Sequence, residues 1–189
     1  MMVLRLVLLA GILVLGLVLF TRIAPGRSQL TIQSNDQHFP VVSGNNLERM
    51  AFEFPRDFGG DVNLVIIAFR QYQQQTVNTW IPFAQEIEAS FPGFIYYELP
   101  TISGMPVINR TFINEGMRAG IPDKTARERT ITLYLDKEAF KQALGIQSED
   151  DIHLLLVDRE GNIHWWEGGE YTLDKAKDLI ETLQRLRGL

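Results

Sequence analysis

The chain has 189 residues, 46% of them hydrophobic and 22% charged, a globular balance that excludes a disordered or fibrous protein. It contains no cysteine, which removes disulfides, thiolate metal sites, thiol nucleophiles and dithiol redox cycles from consideration. Basic residues number 18 against 23 acidic ones, a net charge of -5, without the basic surplus of a nucleic-acid binder.

Leu6 to Thr21 is uncharged and mostly Leu, Val and Ile, with Arg5 before it and Arg22 and Arg27 after it. A membrane span needs about 20 apolar residues, a length that Met1 to Thr21 reaches if Arg5 snorkels to the headgroups. The adjoining Thr21-Arg22-Ile23-Ala24-Pro25-Gly26 has no A-x-A cleavage pattern. Residues 1–27 therefore read as a signal anchor, with a cleaved signal peptide as the alternative. The basic flanks nearly balance, so orientation rests on the usual export of the domain carboxyl-terminal to such an anchor. The expectation is a single-pass inner or plasma membrane protein with an extracytoplasmic, periplasmic body. That body carries 15 basic residues and all 23 acidic ones, about -8.

Residues 28–38 read as a polar tether and 39–189 as one α/β domain. Ser43-Gly44-Asn45-Asn46 is a turn signal between Pro40-Val41-Val42 and Met50 to Phe54, which predicts an N-terminal β-hairpin. Val62 to Phe69 is apolar except for Asn63, the form of a strand buried on both faces. From Gln71 to Phe91, Val77, Trp80, Ile81, Ala84, Ile87 and Phe91 recur at helical spacing, with Pro82 inside, predicting a kinked helix. Gly93 to Leu99 reads as a strand ended by Pro100, Pro106 to Gly120 as a helix, and Thr130 to Leu135 as a strand. Asp136 is an N-cap for Lys137 to Leu144, closed by Gly145. Ile152 to Val157 and Asn162 to Glu167 predict a hairpin around Asp158-Arg159-Glu160-Gly161. Thr172 to Arg187 predicts a terminal helix with Leu173, Ala176, Ile180, Leu183 and Leu186 inward. Strands alternating with helices imply parallel pairing, and the late hairpin adds an antiparallel edge, so a mixed central sheet with helices on both faces is expected.

This order resembles the thioredoxin fold of peroxiredoxins and thiol-disulfide oxidoreductases. The resemblance rests on Asn63 to Phe69 as first core strand, the Pro82 helix, Leu155 to Trp165 as the family's late hairpin, and the terminal helix, and it covers residues 39–189. It implies a C-x-x-C at the start of the first helix, at positions that here hold Gln74 and Val77. It also implies a cis-proline near Ile152, where none exists. A closer resemblance, carried by Phe69, Gln74-Gln75, Asn78-x-Trp80-x-Pro82-Phe83, Tyr97-Glu98-Leu99, Thr130 to Tyr134, Asp158-Arg159-x-Gly161-x-Ile163-x-Trp165 and Gly168-Gly169-Glu170, is to the assembly factor of the mitochondrial ATP synthase membrane sector and its bacterial relatives. It implies a chaperone-like role on a membrane subunit without need of a dithiol.

No catalytic residue, metal ligand set or cofactor is expected. His153 and His164 fall on opposite strand faces if a three-residue loop pairs Asp158 with Asn162, or become diagonal neighbours if a two-residue loop pairs Asp158 with Gly161; His38 stands alone, and no third ligand is evident. Ser103-Gly104 lacks a nucleophile elbow and reads as a loop or cap, and the Asp158 loop lacks calcium spacing. The partner-binding candidates are Gln71, Gln73, Gln74 and Gln75 beyond the first core strand, where α/β sheets meet ligands. The basic run Arg110, Arg118, Lys124, Arg127 and Arg129 and Trp166 join them. Trp165 and Trp166 point to opposite faces, so one is core and the other is available as an anchor. The leading expectation is a membrane-tethered, non-redox binding or assembly module for a membrane-protein complex. The rival is a thiol-independent enzyme of unspecified chemistry; a permanent structural subunit is a third.

Overall fold

A computed structural model describes residues 37–188; the expected anchor and most of the tether lie outside them. Seven strands form one sheet: β1 (Val42–Asn46), β2 (Ala51–Phe54), β3 (Val62–Ala68), β4 (Phe94–Ser103), β5 (Ile131–Leu135), β6 (His153–Asp158) and β7 (Ile163–Gly168), in the order β2-β1-β5-β4-β3-β6-β7. β3, β4 and β5 run parallel, and the hairpins at both edges are antiparallel. The helices are α1 (Gln74–Ser90), α2 (Val107–Gly120), α3 (Lys124–Arg129), α4 (Lys137–Leu144) and α5 (Leu173–Leu186), and a 3-10 turn, Gln71–Gln73, precedes α1. Among the described residues no helix is long and apolar enough to cross a membrane.

β3 is an interior strand between β4 and β6, and its side chains serve two cores at once. Leu64 and Ile66 pack with Trp80, Ala84, Leu154, Leu156, Leu179 and Leu183 under α1 and α5. Val65 and Ile67 pack with Phe39, Phe54, Leu99, Leu133, Phe140 and Leu144 on the other face. The one polar residue in the run, Asn63, is fully buried, and its amide bridges Gly60 and Val157.

The N-terminal hairpin is present, but its turn is not at Ser43 to Asn46. Those residues belong to β1, and the chain reverses over Leu47 to Met50. Asn46 makes the reversal: its side-chain oxygen accepts from the Glu48 and Met50 N–H groups, and Arg49 takes φ 67°. Gly44 serves close approach, since a Cβ there would stand 2.6 Å from the Thr132 carbonyl oxygen of β5.

Pro100 does not end its strand. β3 stops pairing at Ala68↔Pro100, and β4 continues to Ser103 against β5 from Thr101↔Leu133, so the missing N–H falls where one pairing hands over to the next. α3 has no counterpart in the sequence reading because Lys-Thr-Ala-Arg-Glu-Arg carries no apolar period; Asp123 starts it by accepting from Ala126 N–H at 2.7 Å. α4 begins and ends where its cap residues predict, with Asp136 accepting from Glu138 and Ala139 and Gly145 at φ 73°. α5 buries Ala176, Leu179, Thr182 and Leu183. Leu173, expected inward, is 78% exposed, because its turn overlooks an open depression between α1 and α5; Leu186, also expected inward, lies at the exposed end of the helix.

Candidate functional site

The carboxyl end of β3 turns into α1 through Phe69, Arg70 and the 3-10 turn. Gln73 builds this corner. Its side-chain oxygen accepts from the Phe69 and Arg70 N–H groups at 2.8 and 3.0 Å, its amide donates to the Glu149 carbonyl at 2.7 Å, and it is 2% exposed. A long amide is suited to this because it accepts and donates at once. Gln73 is therefore internal bracing. Gln71, Tyr72 and Gln75 are exposed.

Gln74 is the first residue of α1. Its amide donates to Asn78 at 3.0 Å and to the Glu98 carboxylate of β4 at 3.2 Å. Glu98 is buried; burial raises its pKa above the ordinary carboxyl value, and the Gln74 hydrogen bond works in the opposite direction. Val77, one turn into α1, is buried in the core with Trp80 and Leu154. The two positions implied for a C-x-x-C thus stand at the helix start, and they hold an amide and an isopropyl group, neither able to form a thiolate or a disulfide. The position before β6 is occupied by the fully buried Ile152. The cis peptide among the described residues is Phe54–Pro55.

The loop before β6 closes the corner with charge. The Glu149 carboxylate meets Arg70 at 3.0 Å, Lys137 at 2.6 Å and Lys141 at 3.2 Å. Burial opposes its ionisation, but the two ammonium groups outweigh that and hold its pKa below the ordinary value. Beside it, the ammonium of Lys137 lies over the Phe69 ring at 5.3 Å.

Trp166 lies level with Val65, midway along β3. It is half-buried against the core that contains Phe69, and His153 stands edge-on between them, 6.1 Å from Phe69 and 5.8 Å from Trp166. Trp165 is the core member of the pair, edge-on to Trp80 at 6.3 Å with its indole N–H donated to Asp178.

Asp158 N–H donates to the Asn162 carbonyl, the three-residue-loop alternative. The register shifts by one between Leu156 and Val157, so that pairing does not extend to His153, which stands opposite Gly168; His164 binds the Asp158 carboxylate at 2.7 Å. Burial works against ionisation of Asp158, yet His164 and Asn162 together lower its pKa. His38 bonds the Phe39 and Glu160 carbonyls. Among the described residues no group of three or more His, Cys, Asp or Glu could hold a metal ion.

The basic run is divided and internally paired. Arg110, near the start of α2, donates to the Met105 carbonyl and lies 5.2 Å over the Tyr134 ring. Arg118 and Arg127 converge on Glu48, at 3.4 and 2.5 Å, and Arg127 also donates to the Ile121 and Pro122 carbonyls; Arg127 chiefly holds the Glu48 pKa low. Lys124 meets Glu128, and Arg129 meets Glu88 of α1 at 2.6 Å. Arg127 and Arg129 precede the amino end of β5, whereas the glutamine corner follows the carboxyl end of the parallel β3. The structure therefore joins Trp166 to the glutamine corner and separates most of the basic run from it. An open cleft of about 650 Å³ lies between α2 and the outer face of β1, β2 and β5, lined by Arg49, Arg110, Asn114, Glu115, Thr132 and Tyr134 among others. Sequence reading missed it because it depends on where α2 lies over the sheet.

No protein-family profile and no curated protein sequence matches this chain. Solved structures do. A putative electron transfer protein from Aquifex aeolicus superposes with a TM-score of 0.57 at 9% identity over 82% of this chain and 100% of that one. The pneumococcal exposed lipoprotein thioredoxin of Streptococcus pneumoniae gives 0.52 at 11% identity over 77% and 99%. BsSco, a member of the Sco family of cytochrome c oxidase assembly proteins, gives 0.51 at 12% identity over 78% and 94%. At these identities the likeness is one of fold: residues 37–188 form a mixed α/β, thioredoxin-like domain, built without cysteine.

Proposed function

We propose that this chain is a membrane-tethered, non-redox binding module that handles a membrane protein during assembly of its complex. The observation that carries the reading is Gln74. It occupies the first residue of α1 and is engaged with Glu98, so the corner that would present a thiol in a redox relative presents amides. Around it, Gln71, Tyr72 and Gln75 are exposed, and each glutamine can donate to and accept from an extended peptide backbone. Trp166, linked to Phe69 through the His153 ring, supplies an aromatic surface. One fold neighbour belongs to a family of cytochrome c oxidase assembly proteins, which supports use of this scaffold in assembly. The resemblance to the ATP synthase assembly factor makes that enzyme's membrane sector the first partner to examine. The amino-terminal apolar segment would hold the body extracytoplasmically at the bilayer where such a subunit is inserted.

The test is photo-crosslinking in intact membranes, with a photoreactive residue at Gln71 or Gln75. One recurrent membrane-protein adduct, absent when the probe is moved to exposed Gln142 on α4, supports the reading. Adducts that are the same from all three positions would refute it. Turnover in peroxide or disulfide assays by the cysteine-free chain would favour the enzymatic rival.

A further inference from the structure

α2 is a helix of 14 residues with none buried. Its half-buried stripe is Arg110, Ile113, Asn114, Met117 and Arg118, so polar side chains occupy three of the inward places. They are engaged there: Tyr134 donates to Asn114 at 2.8 Å, Arg110 lies over the Tyr134 ring, and Arg118 donates to the Leu47 carbonyl at 3.0 Å. Ile108 and Phe112 lie outside, 79% and 83% exposed, whereas Val107, 74% exposed, borders the cleft between α2 and the sheet. An ordinary surface helix has the reverse pattern, with its apolar stripe on the domain.

Charge and reach narrow what covers this face. The body is acidic, yet residues 99–114 hold no Asp or Glu and a single cation, Arg110, which is turned inward, and the next acid, Glu115, borders the cleft and is paired with Arg49 at 2.8 Å. A face that meets anionic headgroups benefits from the absence of carboxylates. The described chain begins at Gln37, whose carbonyl accepts from Ile163 N–H at the β7 edge. Fifteen residues separate it from the uncharged segment Leu6 to Thr21, a reach of about 50 Å when extended. From β7 to β1, beside α2, is five strand spacings, about 24 Å. A body tethered from its β7 edge can therefore bring α2 down to the same bilayer.

We propose that the Ile108 and Phe112 face of α2 inserts into the lipid interface, so that the domain lies against the membrane through α2. This rests on the tether placing the chain at a bilayer, and it adds the orientation of the body. Burying two apolar side chains at the interface is a weak contact alone; coupled to a tether it is an intramolecular event with high effective concentration.

The absence of native cysteine permits a direct test on the full chain. Phe112→Cys and, on the opposite sheet face, Gln142→Cys are labelled with an environment-sensitive fluorophore and reconstituted into phosphatidylethanolamine–phosphatidylglycerol vesicles. The label at 112 is expected to shift to the blue and to lose most of its emission to chain-brominated lipid, while the label at 142 responds to aqueous iodide. Adding Ile108→Glu should lower the brominated-lipid quenching at 112 several-fold; α2 buries nothing, so folding is not at stake. Iodide quenching at both positions on vesicle-bound protein overturns the inference and leaves the tether intact. Shielding at 112 from both quenchers also overturns it, in favour of a protein surface such as a second copy. Failure of the chain to pellet with vesicles overturns the inference together with the tether.

Discussion

The Gln74 amide donates to the Glu98 carboxylate at 3.2 Å, joining the first residue of α1 to the middle of β4 across 24 residues of sequence. Glu98 is 7% exposed, and this is its only side-chain hydrogen bond among the described residues. A carboxylate so placed has lost its hydration and recovered one neutral donor, so ionisation is disfavoured.

The consequence is a stability profile with a definite sign. Burial raises the Glu98 pKa above its ordinary value of 4.5, with Gln74 opposing. The folded state therefore holds a proton that the unfolded chain has released. The stabilisation is fully present below the unfolded pKa and is lost as pH rises through the folded one. Tyr96, Glu88 and Arg129 share this region, so the difference between proteins is the informative quantity. Urea denaturation across pH 4 to 8, a range chosen to bracket about one carboxyl titration, should show Glu98→Gln gaining stability relative to the parent as pH rises. Gln74→Ala should move the parent's loss to higher pH. Parallel profiles for parent and Glu98→Gln would exclude a titrating Glu98.

Glu149 has the opposite sign. Burial opposes its charge, but Lys137 and Lys141 hold its pKa below the usual value, so its contribution is present above the unfolded pKa and lost as pH falls through the folded one. Lys137 is 13% exposed, and removing Glu149 takes away its carboxylate partner, whereas Lys141 keeps Glu138 at 2.8 Å. Glu149→Gln should destabilise the domain at neutral pH, chiefly through Lys137, and progressively less in acid, read by denaturation midpoints. An equal cost at both pH values would assign the effect to packing.

Much of this was legible in the chain. The unbroken apolar run of β3 announced a strand covered on both sides, Asp136 and Gly145 bounded α4, and the alternation of strands and helices implied the mixed sheet. The errors share a cause. Gly44 reads as a turn residue because its neighbours are Ser and Asn, yet it is small so that β1 can approach β5, a contact between residues nearly ninety positions apart that no local window contains. Leu173 fits the helical period of α5, but the period does not say where the surface beneath the helix ends. At the candidate site, the glutamine cluster stood out by composition. Its division into Gln73 as brace, Gln74 as partner of Glu98, and Gln71 and Gln75 as free amides depended on the 3-10 turn. The basic run had charge enough to suggest a surface, whereas Glu48, Glu88, Glu115 and Glu128 draw its members and Arg49 into internal pairs.

Gly44 supplies its own test. A Cβ there would meet the Thr132 carbonyl at 2.6 Å, Ile131 at 2.8 Å and Leu133 at 2.9 Å, and the first is backbone that cannot rotate away. Gly44→Ala should destabilise the domain by about 2 kcal/mol through strain between β1 and β5, with the largest loss of amide-exchange protection in the N-terminal hairpin. Unchanged stability would mean that β1 is not seated on β5 as described.

The last prediction tests whether Gln74 and Val77 occupy the positions of a redox pair. They lie three apart in the first turn of α1, where Cα atoms are about 5 Å apart, within disulfide range. With no other cysteine in the chain, Gln74→Cys combined with Val77→Cys can form only one intramolecular bridge. The helix start favours a thiolate at 74, while ionised Glu98, deprived of its Gln74 donor, disfavours it. The double variant should therefore oxidise to a monomeric disulfide reducible by dithiothreitol, and adding Glu98→Gln should lower the thiol pKa, measured by the pH dependence of alkylation. Thiols that stay reduced under mild oxidant, in a protein still folded by circular dichroism, would show that the corner does not have the geometry of a dithiol site.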